Sequence, residues 1–298
     1  MNRISHGTCP STPRRRNFST APAALLLALA IGGCGAASGG EGPAADANAG
    51  HIHGLGVNPA DGALFIATHG GLFRSAEGGT TAARVGTSTQ DTMGFTIVGS
   101  NRFLGSGHPG PAENGPPLLG LIESGNAGND WEPVSLSGEA DFHVLRSAPG
   151  RVYGVDSSSG RLMSSADEGA TWDELEAPAP LLDLAAAPDD PDRVIASGEG
   201  GLYESQDGGG SWRPTGPEIG YLAWPTPDAL YLIDTEGTLR VSDDGGGSWR
   251  SGAEIGDQPV AFTAVSANEL YAALPNGDVM VSRDGGDSWS LRATVSGR

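Results

Sequence analysis

Short apolar runs alternate with turn-forming residues along most of this chain. From about residue 51 onward, runs of four to seven residues rich in Val, Leu, Ile, Phe and Tyr recur, and Gly, Asp, Asn and Pro separate them. Residues 64–67, 194–197 and 230–233 are representative. Apolar runs of this length between turn signals predict short β-strands rather than helices. The pattern therefore predicts an all-β chain.

One eight-residue pattern, S-x-D-x-G-x-x-W, punctuates these runs, and we call it the box. It is complete at 165–172, 205–212, 242–249 and 282–289, and it is degenerate at 124–131, where Asn126 replaces Asp, and from Ser75, where Glu77 and Ala82 stand in the Asp and Trp places. In the box, Asp accepts hydrogen bonds from nearby backbone N–H groups, Gly supplies a positive φ, and Trp buries a large apolar face. The predicted structural box residues are Asp167, Asp207, Asp244, Asp284, Trp131, Trp172, Trp212, Trp249 and Trp289.

The spacing of the boxes predicts the architecture. Their first serines lie 49, 41, 40, 37 and 40 residues apart, and each repeat contains four short runs, A to D, with the box between C and D. A period near 40 with four strands is typical of propeller blades. We expect a single β-propeller of six four-stranded blades over residues 51–298, without a split blade; seven blades is the alternative.

The boxes resemble the Asp-box, or bacterial-neuraminidase (BNR), repeat of the sialidase and sortilin-like superfamily. The H-x-H-G-L segment at His51, T-H-G-G at His69, D-T-M-G-F at Asp91 and S-G-H-P at His108 more closely resemble bacterial lipoproteins named glycosylhydrolases from their Asp-boxes. The resemblance implies a sialidase-like propeller but not an activity, since unrelated functions share these repeats. Sialidase activity itself is disfavoured, because no Arg-Ile-Pro motif precedes the boxes and no arginine begins an A strand.

The N-terminus predicts export and lipid attachment. Residues 14–16 are arginines, an apolar run follows at 21–31, and Ile31-Gly32-Gly33-Cys34 resembles a bacterial lipobox. We expect a lipoprotein-type signal peptide at 1–33, lipidation of Cys34, and a polar tether at 34–50. An ordinary secretory signal remains an alternative, and the arginines leave both Sec and twin-arginine export open. The expected location is the outer side of the bacterial cytoplasmic membrane or the cell surface.

Charge narrows the set of partners. The chain has 17 basic and 36 acidic residues, none of them lysine, for a formal net charge of −19. Nucleic acid and anionic membrane surfaces are therefore poor partners, and we expect membrane contact only through the N-terminal lipid. The only cysteines are Cys9 and Cys34, so the predicted propeller has no disulfide.

Histidines break the repeat and indicate a candidate site. All histidines beyond residue 50 fall in the first three blades, at the start of strand A or just after strand B; they are His51, His53, His69, His108 and His143. These two positions share one edge of an antiparallel blade, so we expect the histidines to meet at one mouth of the channel, opposite the boxes. Aligning the repeats adds Met93 and Asp183 at the His53 position, and Asp156, Glu199, Asp234 and Asn276 at the His69 position.

Three interpretations of this cluster remain open. Imidazoles with nearby carboxylates suit Zn²⁺ or Cu²⁺, with Met93 favouring copper and with Asp183 or Glu199 completing the ligands. The cluster also suits a polar pocket for a small organic ligand or carbohydrate, or a structural hydrogen-bonded rim. A binding module is favoured over an enzyme. The enzymatic alternative is a glycoside hydrolase that uses Asp156, Asp183, Glu199 or Asp234 as acid and base, with Tyr221 and Trp224 stacking on the sugar.

Overall fold

The computed structural model describes residues 49–295, which form strands, turns and loops without a helix. Six separate antiparallel sheets, each of four consecutive strands, make a six-bladed β-propeller. This confirms the predicted fold class, and the seven-blade alternative is wrong for the described residues. Within this range no helix has the length and apolar character needed to cross a membrane. The predicted signal peptide at 1–33, with Cys34, lies outside the described residues.

The blades follow chain order, and each uses its first strand as the innermost. Blade 1 comprises β1 (Ile52–Val57), β2 (Leu64–Thr68), β3 (Gly71–Ser75) and β4 (Ala83–Arg84). Blade 2 comprises β5 (Asp91–Gly99), β6 (Arg102–His108), β7 (Leu121–Ser124) and β8 (Glu132–Ser135). Blade 3 comprises β9 (Phe142–Ala148), β10 (Arg151–Asp156), β11 (Arg161–Ser165) and β12 (Asp173–Leu175).

The second half of the ring repeats this plan. Blade 4 comprises β13 (Leu181–Ala186), β14 (Val194–Gly198), β15 (Gly201–Ser205) and β16 (Arg213–Gly216). Blade 5 comprises β17 (Gly220–Thr226), β18 (Ala229–Asp234), β19 (Thr238–Ser242) and β20 (Arg250–Glu254). Blade 6 comprises β21 (Ala261–Ala264), β22 (Leu270–Ala273), β23 (Asp278–Ser282) and β24 (Ser290–Thr294). The six inner strands contact one another in sequence, and β21 meets β1 to close the ring around a channel.

The described residues include the end of the predicted tether. Its last two residues, 49 and 50, are described and pack on blade 1. Ala49 is only 3 % exposed, and its carbonyl accepts a hydrogen bond from the Gly70 N–H at 3.0 Å. The end of the predicted tether is therefore in contact with the first blade.

Each complete box is a closed hydrogen-bonded turn. In the box at 205–212, the Ser205 hydroxyl donates to Asp207 Oδ1 and accepts the Gly209 N–H, both at 2.8 Å. Asp207 also accepts the backbone N–H and the hydroxyl of Ser211. In the equivalent boxes, the same bonds, led by the hydroxyl donor, lower the pKa of Asp167, Asp244 and Asp284 to about 2. The local sequence thus fixes this turn in four of the blades.

The boxes also join each blade to the one before it. Trp212 packs against a core cluster shared by blades 3 and 4, which includes Leu162 of blade 3. A box glycine comes so close that a Cβ on Gly286 would lie 1.9 Å from Leu239 Cδ2 in blade 5. The glycine is therefore required both for its positive φ of 92° and for the room it leaves to the neighbouring blade.

Strand register separates two faces of the propeller. The start of strand A pairs with the end of strand B in every early blade, as in Ile52 with Thr68 and Asp91 with His108. The boxes contact the A–B turns at the other end: the Gly208 N–H donates to the Asp192 carbonyl at 2.8 Å. The box face and the face that carries the histidines are therefore opposite.

The ring closes between blades 6 and 1 through a buried arginine. Blade 1 lacks both the Asp and the Trp of a complete box. Arg292 of β24, only 4 % exposed, donates instead to the Ser75 hydroxyl at 3.2 Å, to the Ala76 carbonyl at 2.8 Å and to the Gly79 carbonyl. A parallel bridge between Thr81 and Thr294 adds to this closure.

Candidate functional site

A β-bulge recurs at the start of the inner strand in the first four blades. In blade 1, Ile52 pairs with Thr68 and Gly54 with Ala67, so His53 is an extra residue. The equivalent extra residues are Met93, His143 and Leu182. A bulge turns its side chain away from the regular alternation of the strand. All four of these bulged residues line one pocket at the channel mouth.

These bulges correct two of the positions assigned by the sequence alignment. Leu182, not Asp183, occupies the His53 position in blade 4, because the bulge shifts the register by one residue. Similarly, Asp156 pairs with Phe142 as Thr68 pairs with Ile52 and Gly107 with Thr92, so Ser157 rather than Asp156 takes the position of His69 and His108. Neither predicted carboxylate therefore takes the position expected for it.

The histidines of blades 1 to 3 meet around two carboxylates that were not among the predicted ligands. We call this set the histidine–aspartate cluster; its members are His51, His53, His69, Asp91, His108, Asp141 and His143. Asp91 and Asp141 each stand two residues before a bulged residue, as His51 does. This shared position, polar in all three blades, is the signal that identifies the two aspartates.

Asp91 lies between the side chains of His53 and His69. His69 Nδ1 lies 2.6 Å from Asp91 Oδ2, and His53 Nε2 lies 3.8 Å from Asp91 Oδ1. One donor atom from each of these three residues lies within 4.8 Å of the others. His51 reaches the group through its ring, whose centroid is 5.4 Å from that of His69.

Asp141 lies close to the other two histidines, His108 and His143. Its Oδ2 lies 2.9 Å from His143 Nε2, accepts the Ser157 hydroxyl at 2.8 Å, and lies 3.6 Å from His108 Nε2. Burial pushes the pKa of Asp141 upward, but the hydrogen bonds from His143 and Ser157 outweigh it and leave the pKa below its usual value. His108 connects the two carboxylates, since its Nδ1 is 3.9 Å from Asp91 Oδ2.

Three polar atoms of the cluster are buried and lack a hydrogen-bond partner among the described residues. They are His53 Nε2, Asp91 Oδ1 and Asp141 Oδ1. Burying such a group without a partner costs about 1–3 kcal/mol, so it calls for an explanation such as an ion. The first two of these atoms are the pair 3.8 Å apart.

His53 is held neutral. Its side chain is only 17 % exposed. Burial, helped by the neighbouring His69 and opposed by Asp91, lowers the pKa of His53 to about 4. The unprotonated ring is the form that coordinates a metal.

The other predicted ligands and acids lie outside the cluster. Asp183 is buried, and its Oδ2 accepts hydrogen bonds from Arg146 Nη2 and the Leu222 N–H, both at 2.9 Å. Asp156 accepts the Asp141 N–H and contacts Arg161, whereas Asp234 caps a turn and contacts Arg240. The Glu199 residue is exposed.

The channel is divided in its middle. A pocket of about 420 Å³ opens at the face that carries the cluster, and a cavity of about 460 Å³ opens at the box face. Between them lies a void of about 40 Å³ lined by Asp183, Arg146 and the rings of Phe95 and Phe262. Trp224 lines the cavity at the box face and is covered by Arg193, whose guanidinium carbon is 5.1 Å from the ring centroid, so it does not share a surface with Tyr221.

No protein-family model and no curated protein matches this chain. Several solved structures do match it in fold. The crystal structure of an ancestral GH74 enzyme matches with a TM-score of 0.53 at 13% identity, covering 79% of this chain and 37% of that one. The GH74 xyloglucanase from Xanthomonas campestris gives 0.53 at 18% identity, with 83% and 46% covered. YCF48 bound to D1 peptide gives 0.50 at 17% identity, with 82% of each chain covered.

These similarities establish the fold and go no further. The chain spans less than half the length of either GH74 structure. At identities below 20%, a shared β-propeller does not transfer a substrate or a partner.

Proposed function

We propose that this propeller is a binding module that holds a divalent transition metal, Zn²⁺ or Cu²⁺, in the histidine–aspartate cluster. His53, His69 and Asp91 supply the protein ligands. One observation carries the proposal: His53 Nε2 and Asp91 Oδ1 face each other at 3.8 Å, both buried and both unpartnered among the described residues.

The separation of these two atoms suits a shared ion better than a hydrogen bond. It is well beyond the usual 2.7–3.2 Å of an N–H···O bond. Two ligands on one tetrahedral Zn²⁺, with bonds of about 2.0–2.1 Å, stand about 3.3 Å apart. A small movement of either side chain therefore brings both atoms into coordination distance, and the ion satisfies the two orphaned lone pairs at once.

The rest of the cluster supports these ligands. Asp141 is held by hydrogen bonds from His143 and Ser157. It orients His108, whose other ring nitrogen lies near Oδ2 of Asp91, the oxygen that His69 contacts. Such outer partners fix the orientation and basicity of metal ligands. Met93 lines the adjoining pocket together with His53, so a soft thioether lies near the site and favours Cu over Zn in a competition between them.

Binding is favoured over hydrolysis by the state of the candidate carboxylates. Asp156, Asp183 and Asp234 are each occupied by an arginine and by backbone N–H groups, as in turn caps and structural ion pairs. A glycoside hydrolase needs one acid and one base free to reach the sugar. The resemblance of the boxes to Asp-box repeats, and of the chain to lipoproteins named from them, is consistent with a binding role.

The location that we propose follows from the N-terminal sequence. Lipid attachment at Cys34 places the propeller outside the cytoplasmic membrane, tethered through a polar segment. There the cluster meets metal ions, small polar ligands or carbohydrate, and the net charge of −19 disfavours nucleic acid.

Metal titration of the protein, purified without a polyhistidine tag and stripped with a chelator, tests the proposal. We expect one equivalent of Zn²⁺ or Cu²⁺ to bind by calorimetry, and Asp91→Asn or His53→Ala to weaken binding at least tenfold. Asp243→Asn, an exposed carboxylate in a box, is the matched control and keeps full affinity. Equal affinity in Asp91→Asn and the control contradicts the assignment; binding of neither metal leaves the organic-ligand pocket as the leading interpretation.

A further inference from the structure

The mouth that carries the histidine–aspartate cluster has a second, apolar half. The bulged position that holds His53, Met93 and His143 in blades 1 to 3 holds Leu182 in blade 4. The position that holds His51, Asp91 and Asp141 holds Pro180. At these two positions, the change from mainly polar to apolar residues therefore falls at the boundary between blades 3 and 4.

A single pocket spans both halves. Its volume is about 420 Å³, within the range of small-molecule sites. His53, Met93 and His143 line one side, and the other side is formed by Leu181, Leu182 and Val260 with the ring of Tyr221. Burial, reinforced by Asp183, raises the pKa of the Tyr221 hydroxyl further above neutral pH.

Three protein ligands leave a tetrahedral metal with an open position, and such zinc sites can expand to five-coordinate, which makes room for a chelating group with two oxygens. His53 is the one of the three ligands that also lines the pocket, so the pocket adjoins the proposed ion directly. A divalent ion with Asp91 as its only carboxylate ligand keeps a net positive charge, which an anionic head group neutralises.

We propose that the pocket binds a small organic anion that has an oxygen chelating head and an apolar, preferably aromatic, body. The head coordinates the metal beside His53, and the body lies against Leu182 and Val260. This rests on the proposed metal site. The ligand enters from the cluster face only, because the ion pair between Asp183 and Arg146 blocks the middle of the channel.

Two hydroxamates separate the contributions of head and body. Benzohydroxamate and acetohydroxamate share one chelating group, and only the first carries a ring. Calorimetry with zinc-loaded protein is expected to show benzohydroxamate binding roughly tenfold more tightly, the effect of burying a phenyl group. Protein without zinc is expected to bind neither probe.

Leu182→Ser tests the apolar wall. Leu182 is partly exposed, faces the pocket and belongs to none of the buried packing clusters of the described residues. We expect this variant to lose several-fold affinity for benzohydroxamate while its affinities for acetohydroxamate and zinc stay unchanged. The matched control is Leu291→Ser on β24, where an exposed leucine lies on the opposite side of its blade from the channel.

Three results would overturn the inference, and they differ from failure of the metal site. Metal titration comes first, so binding of neither Zn²⁺ nor Cu²⁺ refutes the proposed function and this inference with it. If zinc binds, equal affinity for the two hydroxamates refutes the apolar wall. Benzohydroxamate binding without zinc, or zinc released into the ultrafiltrate, refutes a ternary complex.

Discussion

Replacing Gly286 by alanine tests whether the boxes lock each blade onto the preceding one. Gly286 has a φ of 92°, and a Cβ there would lie 1.9 Å from Cδ2 of Leu239, which is fully buried in blade 5. Two other glycines have nearly the same φ with different surroundings. The Cβ at Gly246 would meet Ile195 and Leu230 at 3.5 Å, and the Cβ at Gly256 would meet nothing within 4 Å.

These three positions separate backbone strain from the clash between blades. An alanine at such a positive φ costs about 1–2 kcal/mol of stability, and all three variants share this cost. Forcing an extra methyl group into a packed core adds about 1–3 kcal/mol. We therefore expect a loss of about 1–2 kcal/mol for Gly256→Ala, a similar loss for Gly246→Ala, and about 2–5 kcal/mol for Gly286→Ala.

Equilibrium unfolding in urea measures the difference through the transition midpoint, provided that the slope is common to all variants. Gly169→Ala offers a repeat, since its Cβ would lie 2.1 Å from Leu121 in blade 2. If Gly286→Ala and Gly256→Ala unfold at the same urea concentration, the glycine serves only its own turn and the contact between blades is not what requires it.

Three further predictions concern the boxes, the cluster and the anchor. Trp212→Ala is expected to cost about 3 kcal/mol of stability in the same unfolding assay. Trp212→Phe should cost much less, because Nε1 of Trp212 has no partner among the described residues. An equal loss in the two variants would show that the indole N–H matters. The pKa of His53 falls from 6.5 to about 4 on folding, so the unfolded chain binds the proton first, and the metal-free protein is expected to lose roughly 3 kcal/mol of folding stability as pH falls from about 6.5 to 4. The urea midpoints of His53→Gln should lack this pH dependence, and an unchanged pH slope in that variant would contradict the prediction. Cys34→Ala is expected to abolish lipid labelling and membrane association in cell fractionation, whereas continued membrane association would exclude this anchor.

Local chemistry made the fold predictable. The Ser, Asp and Gly of each complete box bond within eight residues, so the turn forms the same way in four different blades. Its repetition near every 40 residues then fixed the number of blades. The opposite placement of boxes and histidines also followed, because strand order alone decides which ends meet.

The finer placement of the site was not predictable, because a β-bulge leaves no mark in an ungapped alignment. One extra residue in the inner strand put Leu182 where Asp183 was expected and sent the Asp183 carboxylate to Arg146. The importance of Asp91 and Asp141 depends on contacts across blade interfaces, with His69 and His108 respectively. Periodicity within one repeat contains no information about such contacts.

The arginine clamp of the last strand determines when the ring is complete during synthesis. Arg292 joins Ser75 across 217 residues of chain, so the ribosome must make most of all six described blades before this bond can form. Until then, the carbonyls of Ala76 and Gly79 lack their bonds to its guanidinium, and Thr81 has no bridge to Thr294. Blade 1 is therefore the first to be made and the last to be sealed, so a nascent chain arrested before β24 carries an open ring whose first blade is exposed to proteases and chaperones.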